Sequence, residues 1–159
     1  PVQLLTEMNA ALHPYMSPTR MNAALCYLRL EPDSPRGYKV YIVNAGLVAP
    51  IFKRGSRCEY LDLGGVPLGM IQPRDHPFRM LELKLQSGDV LILSSDGIVE
   101  AMNTSRQLYG FDRLVARVAG APGGSARDLQ EWILSDVREF VGNAEQHDDV
   151  TLIALVATS

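Results

Sequence analysis

The chain has 159 residues, of which 47% are hydrophobic and 21% charged, a composition typical of a globular domain. A net charge of -3 and a pI near 5.6 exclude the basic surface that nucleic-acid binding requires. No apolar run approaches the roughly 20 residues that span a bilayer, so we expect no membrane contact. Cys26 and Cys58 lack the spacing of a zinc site or a disulfide framework, which favours a cytoplasmic location.

The first part of the chain predicts a helix followed by a β-hairpin. Residues 3–16 place apolar side chains at helical spacing, with Pro14 disturbing the end of the helix. Segments 22–30 and 38–46 are rich in apolar, aromatic and β-branched residues, and the turn-rich sequence "EPDSPRG" lies between them. Two adjacent antiparallel strands are therefore expected.

A run of further strands follows. Short strands are predicted at 50–54 and 58–63, before an irregular loop at 64–77 that is rich in proline and glycine. Leucines alternate with charged residues in 79–85, as in a strand with one solvated face. Segment 90–95, "VLILSS", is apolar on both faces and predicts a covered, central strand.

The last third of the chain predicts two helices and one strand. Residues 110–120 form the first helix, and Ser125 with Asp128 resembles a capping box at the start of a second helix of about 16 residues. Trp132 lies on the apolar stripe of that helix and is expected in the core. The apolar segment 150–157 predicts a second covered strand. Strands grouped in this way favour an α+β fold with antiparallel sheets over residues 1–159 as one domain.

Two acidic motifs stand at the ends of the two strands predicted to be covered. Asp96 follows the strand 90–95, and Asp148 and Asp149 precede the strand 150–157. If these strands pair antiparallel, Asp96 and Asp148 lie on the same rim of the sheet. Carboxylates without nearby cysteines or paired histidines form a hard oxygen site that suits Mg²⁺ or Mn²⁺.

Gly97 would let the backbone approach a ligand closely at this rim. Divalent ions bound here would support hydrolysis of a phosphate ester. Either motif alone is equally well explained as a turn or as an aspartate that hydrogen-bonds its own backbone.

Read together, the motifs resemble the metal-dependent protein phosphatases of the type 2C superfamily, in the bacterial branch of the stage II sporulation phosphatase and the sigma-factor regulators. The matching segments are "NAGLVAPIF", "GGVPLGM", "LQSGDVLILSSDGIVEAMN", "LYGFDRLVARV" and "QHDDVTLIAL". The resemblance implies an antiparallel β-sandwich flanked by helices, and hydrolysis of phosphoserine or phosphothreonine with two Mn²⁺ or Mg²⁺ ions. It implies Asp96 and Asp148 as metal ligands, with Gly97 and Asp149 in supporting roles.

The chain departs from the family pattern at two places. Leu47 replaces the His of the family's "NAGH", and no "GDxxGxG" motif, which carries the metal-bridging Asp, occurs in residues 1–159. The chain therefore resembles the C-terminal two thirds of the domain, and we expect little activity from these residues alone. Because the first residue is Pro1 rather than Met, a longer parent protein is expected.

Further implications of the resemblance concern partners. The branch implies a phosphorylated protein substrate such as an anti-sigma antagonist, an upstream sensor or receiver domain, and in some members a homodimer. The alternative is a catalytically degenerate module that only binds a regulatory partner. A phosphohydrolase with an aspartate nucleophile is a third class, but the clustered strands do not suit its alternating strand-helix units.

Several other polar residues are weaker candidates. His147 adjoins the acidic pair and Glu100 lies four residues after Asp96, although solvated side chains explain both. Arg20, Arg74 and Arg79 are candidates for contacts with a phosphate group, and their spacing selects none of them.

Overall fold

The computed structural model describes residues 1–34, 37–70, 72 and 78–158, and their strands form two antiparallel sheets. Helices and strands follow the predicted order, with one short helix, α2, that was not predicted: α1 (Val2–Met16), β1 (Leu25–Ser34), β2 (Gly37–Ala45), β3 (Ile51–Arg54), β4 (Arg57–Tyr60), β5 (Met80–Gln86), β6 (Val90–Ser94), α2 (Asp96–Val99), α3 (Phe111–Ala119), α4 (Ala126–Val141) and β7 (Leu152–Val156). The α+β class with antiparallel sheets is confirmed. Arg74 and part of the predicted loop 64–77 lie outside the described residues.

The chain divides into two compact units, and the first comprises Pro1–Ala49 and Asp62–Gln86. Its sheet has the order β1-β2-β5, and β1 and β2 form the predicted antiparallel hairpin. Strand β1 continues past the predicted end at Leu30, because Glu31 and Pro32 still pair with β2. Pro32 is tolerated there because β1 is an edge strand of this sheet.

The core of the first unit lies between α1 and the sheet. Leu5 of α1 is fully buried and clusters with four buried residues: Val43, Ala45, Leu68 and Phe78. Asn9 of α1 is also buried, and its side-chain oxygen accepts a hydrogen bond from the Gly69 amide at 2.9 Å. The helix thus holds the segment around Leu68 by both apolar and polar contacts.

Asn44, at the end of β2, organises the loop that follows. Its side-chain amide donates to the carbonyls of Leu47 and Leu63 at 2.8 and 3.0 Å, and its oxygen accepts from the Leu47 amide at 3.1 Å. Gly65 lies so close to the Asn44 carbonyl that a Cβ at position 65 would overlap that oxygen. The Asn44 side chain and the close approach of Gly65 therefore join the "NAGL" and "GG" segments into one loop structure, here called the Asn44 loop.

The second unit comprises Pro50–Leu61 and Ser87–Ser159. Its sheet has the order β4-β3-β6-β7, α3 packs on β4, and α4 packs on β7. Strand β6 occupies an interior position and is largely buried, as predicted. The predicted capping box is also confirmed, since the Ser125 side chain accepts from the Asp128 amide and the Asp128 side chain accepts from the Ser125 amide.

Two predictions of burial in the second unit are wrong. Strand β7 is the edge strand of the described sheet, and Ile153 is 51% exposed although α4 packs on this strand. Trp132 is half-buried rather than part of the core. Its ring lies under the Arg117 guanidinium, 3.4 Å from the ring centroid, and its Nε1 donates to the Arg117 carbonyl at 3.0 Å.

None of the described helices has the length and apolar character that crossing a bilayer demands.

Cys26 and Cys58 are both free and partly buried. Burial raises the pKa of the Cys26 thiol to about 11 and also raises the pKa of Cys58. Because the thiolate is the reactive form, both side chains are weak nucleophiles at neutral pH.

Candidate metal centre

The two acidic motifs meet at one rim of the second unit's sheet. Strands β6 and β7 pair antiparallel, with Ser94 opposite Leu152, so the end of β6 meets the start of β7. Asp96 follows β6 by two residues, and Asp148 and Asp149 precede β7. The strand pairing on which the sequence argument depended is therefore present, and we call this junction of 95–97 with 148–151 the acidic rim.

Ser95 connects the two segments of the acidic rim. Its amide donates to the Thr151 carbonyl at 3.1 Å, and its hydroxyl donates to the Asp149 carbonyl at 3.0 Å. The same hydroxyl accepts from the Thr151 amide at 3.0 Å. Ser95 is not among the site residues predicted from the sequence, although a serine directly before a helix start is a recognisable cap signal. Its side chain forms no hydrogen bond with its own helix α2 and instead bridges to the other motif.

Gly97 is buried against the same carbonyl. A Cβ at position 97 would overlap the Asp149 oxygen, so any larger residue would push the two motifs apart. This contact gives Gly97 a steric role in holding the rim together. The close approach at Gly97 is to the Asp149 backbone, and the expected approach to a ligand stays a prediction.

The three carboxylates of the acidic rim are solvent-exposed. Asp96 is the first residue of the short helix α2. Oδ1 of Asp148 accepts a hydrogen bond from the Asp149 amide at 2.7 Å, and the Asp148 carbonyl accepts from Gln146 Nε2 at 2.7 Å. The Asp148 side chain is thereby oriented by its own backbone, and its position in solvent avoids the cost of burying a charge.

Hard oxygen donors in this arrangement match the ligand preference of Mg²⁺ and Mn²⁺. Across the described residues, however, no group of three or more His, Cys, Asp or Glu side chains is close enough to hold an ion. The donor chemistry therefore fits a divalent cation, while the number of protein ligands is that of an incomplete site. Affinity for hard cations grows with the number of oxygen ligands, so two carboxylates alone would hold a divalent ion weakly.

A cavity of about 680 Å³ adjoins the acidic rim within the second unit. Gly97 and Asp148 line one part of it, and residues of α4 line another. Glu100 and His147 also line this cavity, as Asp148 does. Glu100 ends the turn that Asp96 begins, since its amide donates to the Asp96 carbonyl at 2.8 Å.

A polar cluster attaches the segment after α2 to α4. The hydroxyl of Tyr109 donates to Asp136 Oδ2 at 2.6 Å, and Arg113 forms a two-point ion pair with the same carboxylate at 2.9 and 3.1 Å. The backbone amide of Tyr109 donates to the Ala101 carbonyl at 2.8 Å. The Arg113 guanidinium holds the pKa of Asp136 below its usual range, and the Tyr109 hydrogen bond acts in the same direction.

The structure does not single out any of the three arginine candidates for contact with a phosphate group. Arg20 and Arg79 belong to the first unit, whereas Asp96 and Asp148 belong to the second. Arg74 lies outside the described residues.

Comparison with known proteins identifies related domains. The family model described as "Stage II sporulation protein E (SpoIIE)" matches residues 1–157. No curated protein sequence matches the chain significantly.

Solved structures share the fold at low sequence identity. The SiaA-PP2C domain of Pseudomonas aeruginosa has 18% identity and a TM-score of 0.75, over 98% of this chain and 60% of that one. The phosphatase domain of the cell fate determinant SpoIIE from Bacillus subtilis has 15% identity and a TM-score of 0.68, over 99% of this chain and 72% of that one. The same domain has also been solved after presoaking with Mn.

A third structure contains the RsbU and RsbW domains of a Mycobacterium tuberculosis protein, with 21% identity and a TM-score of 0.66, over 93% of this chain and 40% of that one. The chain thus spans 60% of the length of the SiaA domain.

Proposed function

Because the chain belongs to the stage II sporulation protein E (SpoIIE) family of PP2C-type serine/threonine phosphatase domains, we propose that its protein is a metal-dependent phosphatase acting on phosphoserine or phosphothreonine in a signalling partner. The observation that carries this proposal is the acidic rim. Ser95 and Gly97 join the Asp96 segment to the Asp148–Asp149 segment, so carboxylates distant in sequence lie at one edge of a sheet.

Asp96 and Asp148 are the proposed metal ligands, with Gly97 and Asp149 in supporting roles. Bound Mn²⁺ or Mg²⁺ supplies positive charge that stabilises a transferring phosphoryl group. The chain's own contribution is to expose the carboxylates to solvent and to fix the Asp148 side chain through the Asp149 amide. Gly97 supports the site by keeping the Asp149 backbone against α2. Presoaking of the Bacillus subtilis domain with Mn supports this choice of cation.

Residues 1–159 contain no "GDxxGxG" motif, and the described residues place no third acidic, His or Cys ligand in a group with the two aspartates. These residues alone are therefore expected to turn over substrate poorly, and activity is proposed for a protein that also supplies the bridging aspartate. The proposed setting is a cytoplasmic signalling protein with an upstream sensor or receiver domain, and a homodimer is its proposed assembly. The proposed substrate is a phosphorylated protein such as an anti-sigma antagonist, as the resemblance to the sigma-factor regulators implies.

The test combines metal binding and turnover. Calorimetric titration of the full-length protein with Mn²⁺ should show at least about tenfold weaker binding in Asp96→Ala and in Asp148→Ala, because each loses an anionic ligand. Asp112→Ala is the matched control, since Asp112 is an exposed aspartate of α3 outside the acidic rim. Turnover of p-nitrophenyl phosphate with Mn²⁺ should fall in the first two variants only. Unchanged Mn²⁺ affinity in both would refute the assignment.

A second candidate function is a catalytically degenerate domain that binds a regulatory partner. The incomplete ligand set among the described residues favours this candidate when no upstream aspartate is supplied. The two candidates predict different results for the full-length protein. A phosphatase hydrolyses p-nitrophenyl phosphate in a Mn²⁺-dependent manner, whereas a degenerate module binds its partner with the same affinity in the presence of Mn²⁺ or of a chelator.

A further inference from the structure

The cavity beside the acidic rim has an apolar wall. Leu134, Val137 and Val141 of α4 form one side, and Ala101 and Met102 form another. Its volume of about 680 Å³ lies within the range of roughly 300–1,000 Å³ found for pockets that hold small ligands. An apolar pocket of this size, next to exposed carboxylates, is large enough for one or two bulky side chains.

The charged groups around the cavity are mainly acidic. Glu100, Glu145 and Asp148 are exposed residues of its lining. Arg138 also lines the cavity, but its guanidinium donates to the Leu134 carbonyl at 3.1 Å and forms an ion pair with Glu131 at 3.3 Å. The cavity therefore combines apolar lining residues with a mainly acidic set of charged ones, and its charge favours a cationic group in the occupant.

We propose that this cavity is a specificity subsite, which binds a bulky apolar side chain close in sequence to the phosphorylated residue of the substrate. A Lys or Arg of the same substrate segment then lies beside Glu100 and Glu145. This inference rests on the proposed phosphatase function, because Asp148 is both a proposed metal ligand and part of the cavity lining. A phosphate held at the acidic rim would bring the adjoining residues of an extended peptide over the cavity, since each residue advances about 3.3 Å.

The first test uses synthetic phosphoserine peptides and the full-length protein with Mn²⁺. One peptide series places Leu, Ala or Asp in turn at each of the three positions on either side of the phosphoserine. At one or more positions, Leu should raise kcat/KM about tenfold over Ala, which is typical of discrimination by an apolar pocket. Fluorescence anisotropy of labelled peptides measures the same preference in binding, without requiring turnover.

A cavity-filling variant tests whether this pocket is responsible for the preference. Val141→Phe adds a ring at a half-buried position in the cavity lining, and should reduce the preference for Leu over Ala to less than about twofold. Val115→Phe is the matched control, because Val115 is a half-buried helical valine of α3 outside the cavity lining. The control should retain the preference.

A charge reversal at Glu145 tests the acidic residues of the cavity lining. It gives a result even if Val141→Phe does not fold. Glu145→Lys should lower kcat/KM about fivefold for peptides that carry Lys or Arg, and raise it for peptides that carry Glu. Glu139→Lys is the matched control, because Glu139 is an exposed glutamate of α4 outside the cavity lining. Equal behaviour of the two variants would overturn the proposed recognition of a cation.

Failure of this inference can be distinguished from failure of the proposed function. If the wild-type protein hydrolyses p-nitrophenyl phosphate but shows no preference among peptides in turnover or binding, the subsite is refuted and the phosphatase stands. If Mn²⁺-dependent turnover is absent, the phosphatase function fails. The anisotropy series then tests whether the cavity binds peptides without turnover. Equal binding of the Leu and Ala peptides would overturn the subsite.

Discussion

The Asn44 loop of the first unit and the acidic rim of the second share one backbone contact but differ in the exposure of their polar side chains. In each, a glycine lies against a backbone carbonyl, Gly65 against Asn44 and Gly97 against Asp149. The polar side chain of Asn44 is buried and bonded to its own loop, whereas Asp96 and Asp148 are exposed. A buried polar group with all its partners inside the protein stabilises a loop, while exposed carboxylates held by the backbone remain available to a ligand.

The largest effect is expected at Gly65. The Cβ of Gly65→Ala would overlap the Asn44 carbonyl oxygen. Relieving this overlap requires the backbone at position 65 or at Asn44 to move, which would disturb the loop. The free energy of unfolding should fall by about 3 kcal/mol. Gly64→Ala is the matched control, because a Cβ there meets open space and should change stability by less than about 0.5 kcal/mol. Urea denaturation of both variants measures the difference, and equal stability would show that the Asn44 loop tolerates the overlap.

Asn44 itself should give the next largest effect. Asn44→Ala removes the donor to the Leu63 carbonyl and leaves buried backbone groups without a partner, so the free energy of unfolding should fall by about 2 kcal/mol. Asn103→Ala serves as a control, since Asn103 bonds only within an exposed turn and water can replace it. A loss as small as that of the control in urea denaturation would mean that Asn44 is not structural.

Gly97 tests the same contact at the acidic rim. Gly97→Ala should destabilise the fold by about 1.5 kcal/mol, less than Gly65→Ala, because the Asp149 segment that it would meet is solvent-exposed and can relax. It should also weaken Mn²⁺ binding by separating the two motifs. Calorimetric titration and denaturation of the same sample separate these effects. Destabilisation without a change in Mn²⁺ affinity would remove Gly97 from the proposed site.

A smaller, pH-dependent effect is expected at Asp136. Its pKa is lowered in the folded state by Arg113, so its contribution is fully present above the unfolded value of about 3.9 and is lost as the pH falls through the folded value. Asp136→Asn should therefore be less stable than wild type near pH 7, and this difference should shrink below about pH 4. Urea denaturation from pH 3 to pH 7 measures it, and a constant difference would contradict the ion pair with Arg113.

The smallest change in stability is expected at Asp148. Asp148→Asn should alter the free energy of unfolding by less than about 0.5 kcal/mol, because the carboxylate is exposed and the amide oxygen can still accept from the Asp149 amide. A large loss of unfolding free energy in urea denaturation would show that Asp148, like Asn44, has a structural role. A small loss, together with weaker Mn²⁺ binding, sharpens the contrast between the two regions.

Features that depend on neighbouring residues were predictable from the sequence. The capping box of Ser125 and Asp128 and the hairpin of β1 and β2 follow from local hydrogen bonding and from side-chain periodicity. The placement of the segments that carry Asp96 and Asp148 on one rim was predictable only on the condition that β6 and β7 pair, which they do. Their role as metal ligands remains a prediction.

Features that depend on segments distant in sequence required the structure. The apolar sequence of β7 is compatible with an interior or an edge strand, and its place at the edge follows from the order β4-β3-β6-β7. The bridge from Ser95 to Asp149 and the overlap that forbids a side chain at Gly97 join positions more than 50 residues apart. Local patterns encode the type of each element because the interacting groups are close along the chain. Packing across the sheet sets the contacts between distant segments, such as the one between Gly97 and the Asp149 carbonyl. Local sequence patterns do not encode these contacts, because the residues involved are far apart along the chain.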